Sequence, residues 1–304
     1  MQTLLRLTAA CFTICVLLGC RGGTGKTIDF KFNAPKGTRF SYNVETKMNV
    51  NEADAGTDIK VGNDITMGYV FEITSDSMGW KTIQATIAKA AMNVDANGMN
   101  AKYDSDEPGN DSAGPMAKLG MFSAVKGGQF IFTINRNGEI GSVNGMQEMI
   151  QKILSRLSPD DTLAAGQAIG SIFTERGFKQ NLQQCFAMYP GKPVKVGDSW
   201  NKTLAMEYND MAMKLDNTYT LESLEGTVAK IKVVSKVTPA PGISEKNGQM
   251  DFTGDMTGLN SFNLTTGLPA NGESNMRLDI KTKMHGNETP MKMDLKMTVT
   301  GKKI

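Results

Sequence analysis

Histidine is nearly absent: the chain of 304 residues has one, His285. That scarcity argues against triads and multi-histidine metal centres, while carboxylate chemistry is not excluded. His285 lies in "HGNETP", which reads as an exposed hairpin tip rather than a general base. Cysteine is scarce too, with four residues, of which Cys11, Cys15 and Cys20 crowd the N-terminus. Charge of one sign is also lacking. A formal net charge of +2 leaves no surplus for a nucleic-acid surface, so no nucleic acid is expected as a partner. Nor is there an apolar run of the roughly 20 residues that a spanning helix needs.

The first residues carry their own message. Arg6 precedes an apolar stretch over 7–18, and small Gly19 follows it, the pattern of a secretory signal. Leu17-Leu18-Gly19-Cys20 resembles the lipobox of bacterial lipoproteins, in which the cysteine is acylated and becomes the first residue of the mature chain. The resemblance implies lipidation at Cys20 and a stable membrane anchor, since each buried methylene contributes about 0.8 kcal/mol. The same stretch mimics a phosphate loop. Counted back from Gly25-Lys26-Thr27, however, that motif needs glycine at position 20, and Cys20 stands there. Residues 1–19 therefore read as a cleaved signal and 20–27 as a flexible tether. Arg21-Gly22-Gly23-Thr24 lacks both an acidic run and an Asp after the anchor, which implies an outer-membrane, periplasm-facing location. Only Cys185 is then left unmodified, so no intrachain disulfide is expected. Beside Phe186 on a predicted helix, it reads as a small buried hydrophobe.

Most of the remaining chain alternates apolar and polar residues, the period of strands with one wet face. Met276, Leu278 and Ile280 oppose Arg277, Asp279 and Lys281, and the pattern resumes at Met291, Met293 and Leu295. Similar alternation covers 40–50, 65–74, 80–92, 130–134, 204–208, 211–221 and 228–237. The segments also match in pairs. Gly37 is followed three residues later by Phe40, and Gly197 by Trp200; two strand–turn–strand units downstream correspond as well. Between the copies Met146, Met149, Ile150, Ile153, Leu154 and Leu157 recur at helical spacing, with a stop expected at Ser158-Pro159. A second helix should begin there, and Gly177 should break it before 178–188. The expected fold is mainly β with α: two tandem antiparallel β repeats, 28–143 and 191–304, forming a curved sheet or half-barrel, with a helical insert over 144–190 covering an open face or edge.

Tyr103-Asp104-Ser105-Asp106, residues 132–138, residues 189–200 and residues 264–268 carry a resemblance to an uncharacterised family of bacterial envelope lipoproteins, a domain of unknown function. A sheet curled around helices in a lipoprotein also looks like the lipoprotein-carrier half-barrels, which hold acyl chains; fold-level analogy alone does not assign a function.

Methionine is the compositional excess, with 21 residues. Met206, Met211, Met213, Met276, Met284, Met291, Met293 and Met297 fall on apolar strand faces and form the candidate lining of an adaptable apolar cavity. Thioethers also bind Cu(I), but these methionines alternate with charged residues in core register and lack His or Cys co-ligands. The acidic stretch from Asp104 to Asp111 fails as a calcium loop, because Pro108 and Pro115 stand at ligand positions, and reads as solvated. Trp80 and Trp200, at strand starts, read as core corners. No cofactor, metal site or catalytic residue is expected. The functional expectation is a non-enzymatic periplasmic lipoprotein that holds an apolar or lipidic ligand. A structural module with an envelope protein partner is the alternative, and a hydrolase, which would need a carboxylate pair not evident in the sequence, is the third.

Overall fold

The computed structural model describes residues 26–54, 57–107, 125–155, 174–208, 211–240, 249–284 and 287–304. Cys20, His285 and the expected second-helix start at Ser158-Pro159 lie outside them. In chain order the elements are β1 (Arg39–Asp54), β2 (Thr57–Ser77), β3 (Trp80–Ala96), β4 (Met99–Asp104), β5 (Gln129–Asn135), β6 (Ile140–Asn144), α1 (Met146–Leu154) and α2 (Glu175–Phe186). They continue as β7 (Ser199–Tyr208), β8 (Met211–Glu225), β9 (Val228–Pro239), β10 (Gln249–Asn263), β11 (Leu268–Met284) and β12 (Asn287–Lys303).

All strands join one antiparallel sheet in the order β6-β5-β3-β2-β1-β12-β11-β10-β9-β8-β7, with β4 beside the outer half of β3. The two halves of the chain meet where β1 pairs with β12, from Phe40↔Lys303 to Glu52↔Met291. The sheet is not closed into a barrel: β6 and β7 are its edges. Helix α2 packs against both, so the sheet curls until one helix fills the gap. In the second half the chain leaving β11 becomes β12 and pairs onward. In the first half the chain leaving β6 becomes helical, and α2 takes the place that a closing strand would occupy. A helix covering both edges also removes two rows of unpaired backbone groups from reach.

Alternation explains the strands, and pairing lengthens them. Residues 57–64 carry little periodicity, yet they complete β2 because β1 supplies partners as far as Asp54↔Thr57. β10 escaped the alternation pattern because Gly254 and Gly258 interrupt it. A Cβ on Gly254 would stand 2.1 Å from the Arg277 carbonyl oxygen, so glycine there lets β11 approach closely.

The helices differ from expectation at their ends. α1 stops at Leu154, before Pro159, and the Ser155 hydroxyl donates to the Lys152 carbonyl at 2.9 Å. Gly177 does not break α2. Thr174 caps the helix, its hydroxyl oxygen accepting from the Gly177 N–H at 3.0 Å, so Gly177 sits in the first turn, where glycine is tolerated. Trp80 is no core corner: its register opposite Asn135 turns it to the outer face, 37 % exposed, whereas Trp200 is buried against Tyr219 with ring centroids 5.8 Å apart.

The core is one cluster to which both halves contribute. Its largest fully buried side chains, Phe32, Phe130, Phe132, Tyr189 and Phe262, form an aromatic base to which the N-terminal segment contributes. Ile28 pairs with Val194, the Phe32 N–H donates to the Arg136 carbonyl at 2.8 Å, and the Ala34 N–H donates to the Thr266 carbonyl at 2.9 Å. The Tyr189 hydroxyl donates to the Gly267 carbonyl beneath it.

Candidate functional site

Antiparallel register sets side chains in rows across the sheet, because residues directly opposite share a face. Away from the aromatic base, one inner row runs from Ser235 through Met256, Met276, Leu295 and Met48. Burial changes along the strands. Ile73, Ile83 and Phe132 near the base are fully buried. Met48, Val50, Met67, Met206, Met291 and Leu295, on the same face but further along, are only partly buried. Their side chains point inward and are only partly covered, so the inner face is a packed core at one end and a partly open apolar wall at the other.

The candidate methionines divide accordingly. Met213, Met276 and Met293 are buried, and Met206, Met291 and Met297 are half-buried. Met206 pairs with Met213 on β7 and β8, several strands away from Met276, Met291, Met293 and Met297 on β11 and β12. Met211 opposes Tyr208 and Met284 opposes Asn287 at strand ends, with side chains outside the described residues. A recess of about 650 Å³ opens at the far strand ends, where Glu52, Ile280 and Met291 meet Lys60, Lys281 and Lys292. A smaller one, about 240 Å³, lies between β5 and α1 beside Met149 and carries no cluster of titratable groups.

Cys185 departs from the sequence expectation. It is exposed on α2 rather than packed as a small hydrophobe. Desolvation nevertheless pushes its thiol up to about 11, and its field reaches Tyr42, Tyr69 and Tyr219, all inner-face residues. The thiol is exposed on α2, and the surrounding protein disfavours its charged form. Its raised pKa keeps it a thiol at neutral pH, which gives no activated nucleophile.

The polar residues that alternation did not single out sit on β7 to β9. Lys202 opposes Asn217, and Asn217 opposes Ser235, on the inner face. Asn217 is 2 % exposed, and the Ser235 hydroxyl donates to its Oδ1. Burial lowers the Lys202 pKa, with Glu139 opposing that shift from the β5–β6 turn. A lone charge among alternating apolar neighbours was the available signal, but a lysine at an edge strand reads as solvent-facing until register places it.

The described part of the acidic stretch is exposed at Asp106 and Glu107, and Asp104 and Asp106 are ion-paired. Lys89 bridges Asp104 at 3.0 Å and Asp106 at 3.1 Å, and Lys126 pairs with Asp106 at 2.6 Å. Among the described residues no group of three or more His, Cys, Asp or Glu side chains is arranged to hold a metal ion.

Residues 78–269, spanning the β3 start to the β10–β11 turn, match the Family of unknown function (DUF6263). The chain belongs to that family. No curated protein matches it significantly. Among solved structures the chain is similar to lipovitellin, in a structure titled for its lipid–protein interactions, with a TM-score of 0.47 and 9 % identity over 88 % of this chain. It spans only 25 % of that protein's length. It is also similar to the translocator domain of the autotransporter NalP from Neisseria meningitidis, with a TM-score of 0.22 and 8 % identity over 88 % of each chain. A third likeness is to an outer-membrane channel from Pseudomonas putida F1, with a TM-score of 0.23 and 6 % identity over 90 % of this chain and 98 % of the channel.

Proposed function

We propose that this protein is a non-enzymatic envelope lipoprotein, anchored through Cys20 on the periplasmic side of the outer membrane, that holds an apolar or lipidic molecule against its inner sheet face. The observation that carries the reading is the partly uncovered inner wall of Met48, Val50, Met67, Met291 and Leu295. Water against such a wall is unfavourable, and each methylene of a ligand moved onto it contributes about 0.8 kcal/mol. Methionine side chains are flexible and polarizable, so they fit chains of varied shape. The recess beside Met291 offers an entrance at the strand ends.

Native mass spectrometry after gentle extraction tests the reading. A co-purifying lipid or other apolar molecule in near-equal amount is expected. A stoichiometric protein partner with no small molecule would favour the scaffold alternative instead. The anchor has its own test: Cys20→Ala should move the protein from the membrane pellet to the soluble fraction, and retention after a high-salt wash would remove the anchor from the reading.

A further inference from the structure

The inner face is mostly apolar, and Lys202, Asn217 and Ser235 interrupt it together at one end of a row whose other end carries Asn63. Trp200 precedes Lys202 by two residues on β7 and shares its face, and its indole N–H is buried without a hydrogen-bond acceptor. The Asn217 amide nitrogen is likewise buried and unpartnered, its oxygen being engaged by the Ser235 hydroxyl. With Ser235 on one side of Asn217 and Lys202 on the other, an amide whose oxygen faces Ser235 turns its nitrogen toward Lys202. Turning the amide over would pair its nitrogen with the Ser235 oxygen, yet it would leave the Trp200 indole N–H without an acceptor. Lysine and tryptophan only donate, and a single amide oxygen and a single hydroxyl cannot serve all the N–H groups present.

Lys202 has no carboxylate within ion-pair range among the described residues. Glu139, whose charge it feels, is held by the Asn135 side chain at 2.6 Å on the neighbouring turn. A half-buried ammonium and two buried donors that lack acceptors are costly in an apolar wall, and an oxyanion placed among them removes that cost.

We infer that Lys202, Asn217 and Trp200 form a headgroup subsite that binds the carboxylate or phosphate oxyanion of an amphiphile whose chain lies on the Met-lined face. The inference rests on the apolar-ligand reading above and adds polarity to it. The chain runs along β7 past Leu204 and Met206, which share the face of Lys202 and are only partly buried, and the head is fixed at Lys202, beside the gap that α2 fills. Lysine supplies a point charge that suits either oxyanion, and the amide and indole N–H groups add direction.

Titration calorimetry on the full chain, kept in amphipol, with decanoate, decyl phosphate and decanol separates the possibilities, because the three share a chain and differ in the head. Wild type should bind the two anions roughly tenfold more tightly than decanol, the scale of one charge-assisted contact. High salt should reduce that preference. Lys202→Met should abolish it, and Lys202→Arg should retain it. The stronger of the two anions identifies a fatty-acid or a phospholipid head. Equal binding of all three by wild type, or a preference that survives Lys202→Met, overturns the subsite and leaves the apolar cavity standing. Binding of none of them overturns the apolar-ligand reading and the subsite with it. The wild-type preference and its salt dependence decide the matter even if Lys202→Met does not fold.

Discussion

Ile73 and Leu221 hold equivalent places in two hairpins of the same sheet. Each carbonyl accepts at 2.8 Å from the N–H of a left-handed glycine, Gly37 or Gly197, and each N–H donates at 3.0 Å to the residue after that glycine, Thr38 or Asp198. Each is followed at once by a bulge, before Ser75 in one and Ser223 in the other. Three residues past each glycine stands a buried aromatic, Phe40 or Trp200. Replacing either ring with alanine should cost about 3 to 5 kcal/mol through lost burial and a residual cavity. Because β1 and β12 join the halves in one sheet, urea unfolding should show a single transition in wild type and in both variants. Two resolved transitions, with Phe40→Ala shifting only one, would contradict this.

Two glycines should respond to alanine for different reasons. At Gly37 a Cβ would meet nothing within 4 Å, and the cost is that of the left-handed backbone alone, about 1 kcal/mol. At Gly254 the Cβ would stand 2.1 Å from the Arg277 carbonyl oxygen and 2.4 Å from a Leu278 methyl, so β10 and β11 must separate. Gly254→Ala should therefore lower the urea midpoint further than Gly37→Ala. The reverse order would show that the two strands can part without penalty.

The carboxylates around Lys89 should make stability sensitive to acid. Hydrogen bonds from Lys126 and Lys89 hold Asp106 below the usual carboxylate range. At Asp104 burial works against the charged form, but the Asp106 backbone N–H and Lys89 outweigh it, and its pKa is lowered too. Groups depressed in the folded state contribute stability above their unfolded pKa and lose it as pH falls through the folded value. The Lys89 pKa, raised by Asp104 and Asp106, makes the matching contribution below its unfolded value, lost only in strong alkali. Lys89→Met should thus destabilise at pH 7, and that loss should shrink as pH falls through the depressed range of the two carboxylates and protonates them. A destabilisation that stays constant across that range would point to lost packing.

The Cys185 thiol, accessible but with a pKa pushed up to about 11 by desolvation, should alkylate slowly at neutral pH. Its rate with iodoacetamide should climb about tenfold per pH unit between 7 and 10, following the thiolate fraction. A plateau near pH 8.5 would mean an ordinary solvated thiol.

The strand faces are legible in the amino-acid sequence, because the period of two is local and needs no partner. Met276, Leu278 and Ile280 must share a face wherever the strand is placed. The glycine-to-aromatic step at Gly37 and Gly197 is legible for a similar reason: only a left-handed turn followed by a buried strand start demands that spacing. The end of α1 and the start of α2 are not, since Ser155 and Thr174 are modest local signals that compete with a proline and a glycine nearby.

Sequence alone determined that this chain would be a mainly antiparallel β protein with an apolar, methionine-rich face and helices between two related halves. Those features follow from residue-by-residue alternation and turn chemistry. Only the tertiary structure decided that β1 pairs with β12, that α2 stands where a closing strand would be, that Trp80 faces out, and that Cys185 is exposed on α2. It also brought Lys202 against Asn217 on the inner face. Each of these depends on which strands become neighbours and in what register. Register is set by burial across the whole sheet, because a slip of one residue would turn every inward side chain outward.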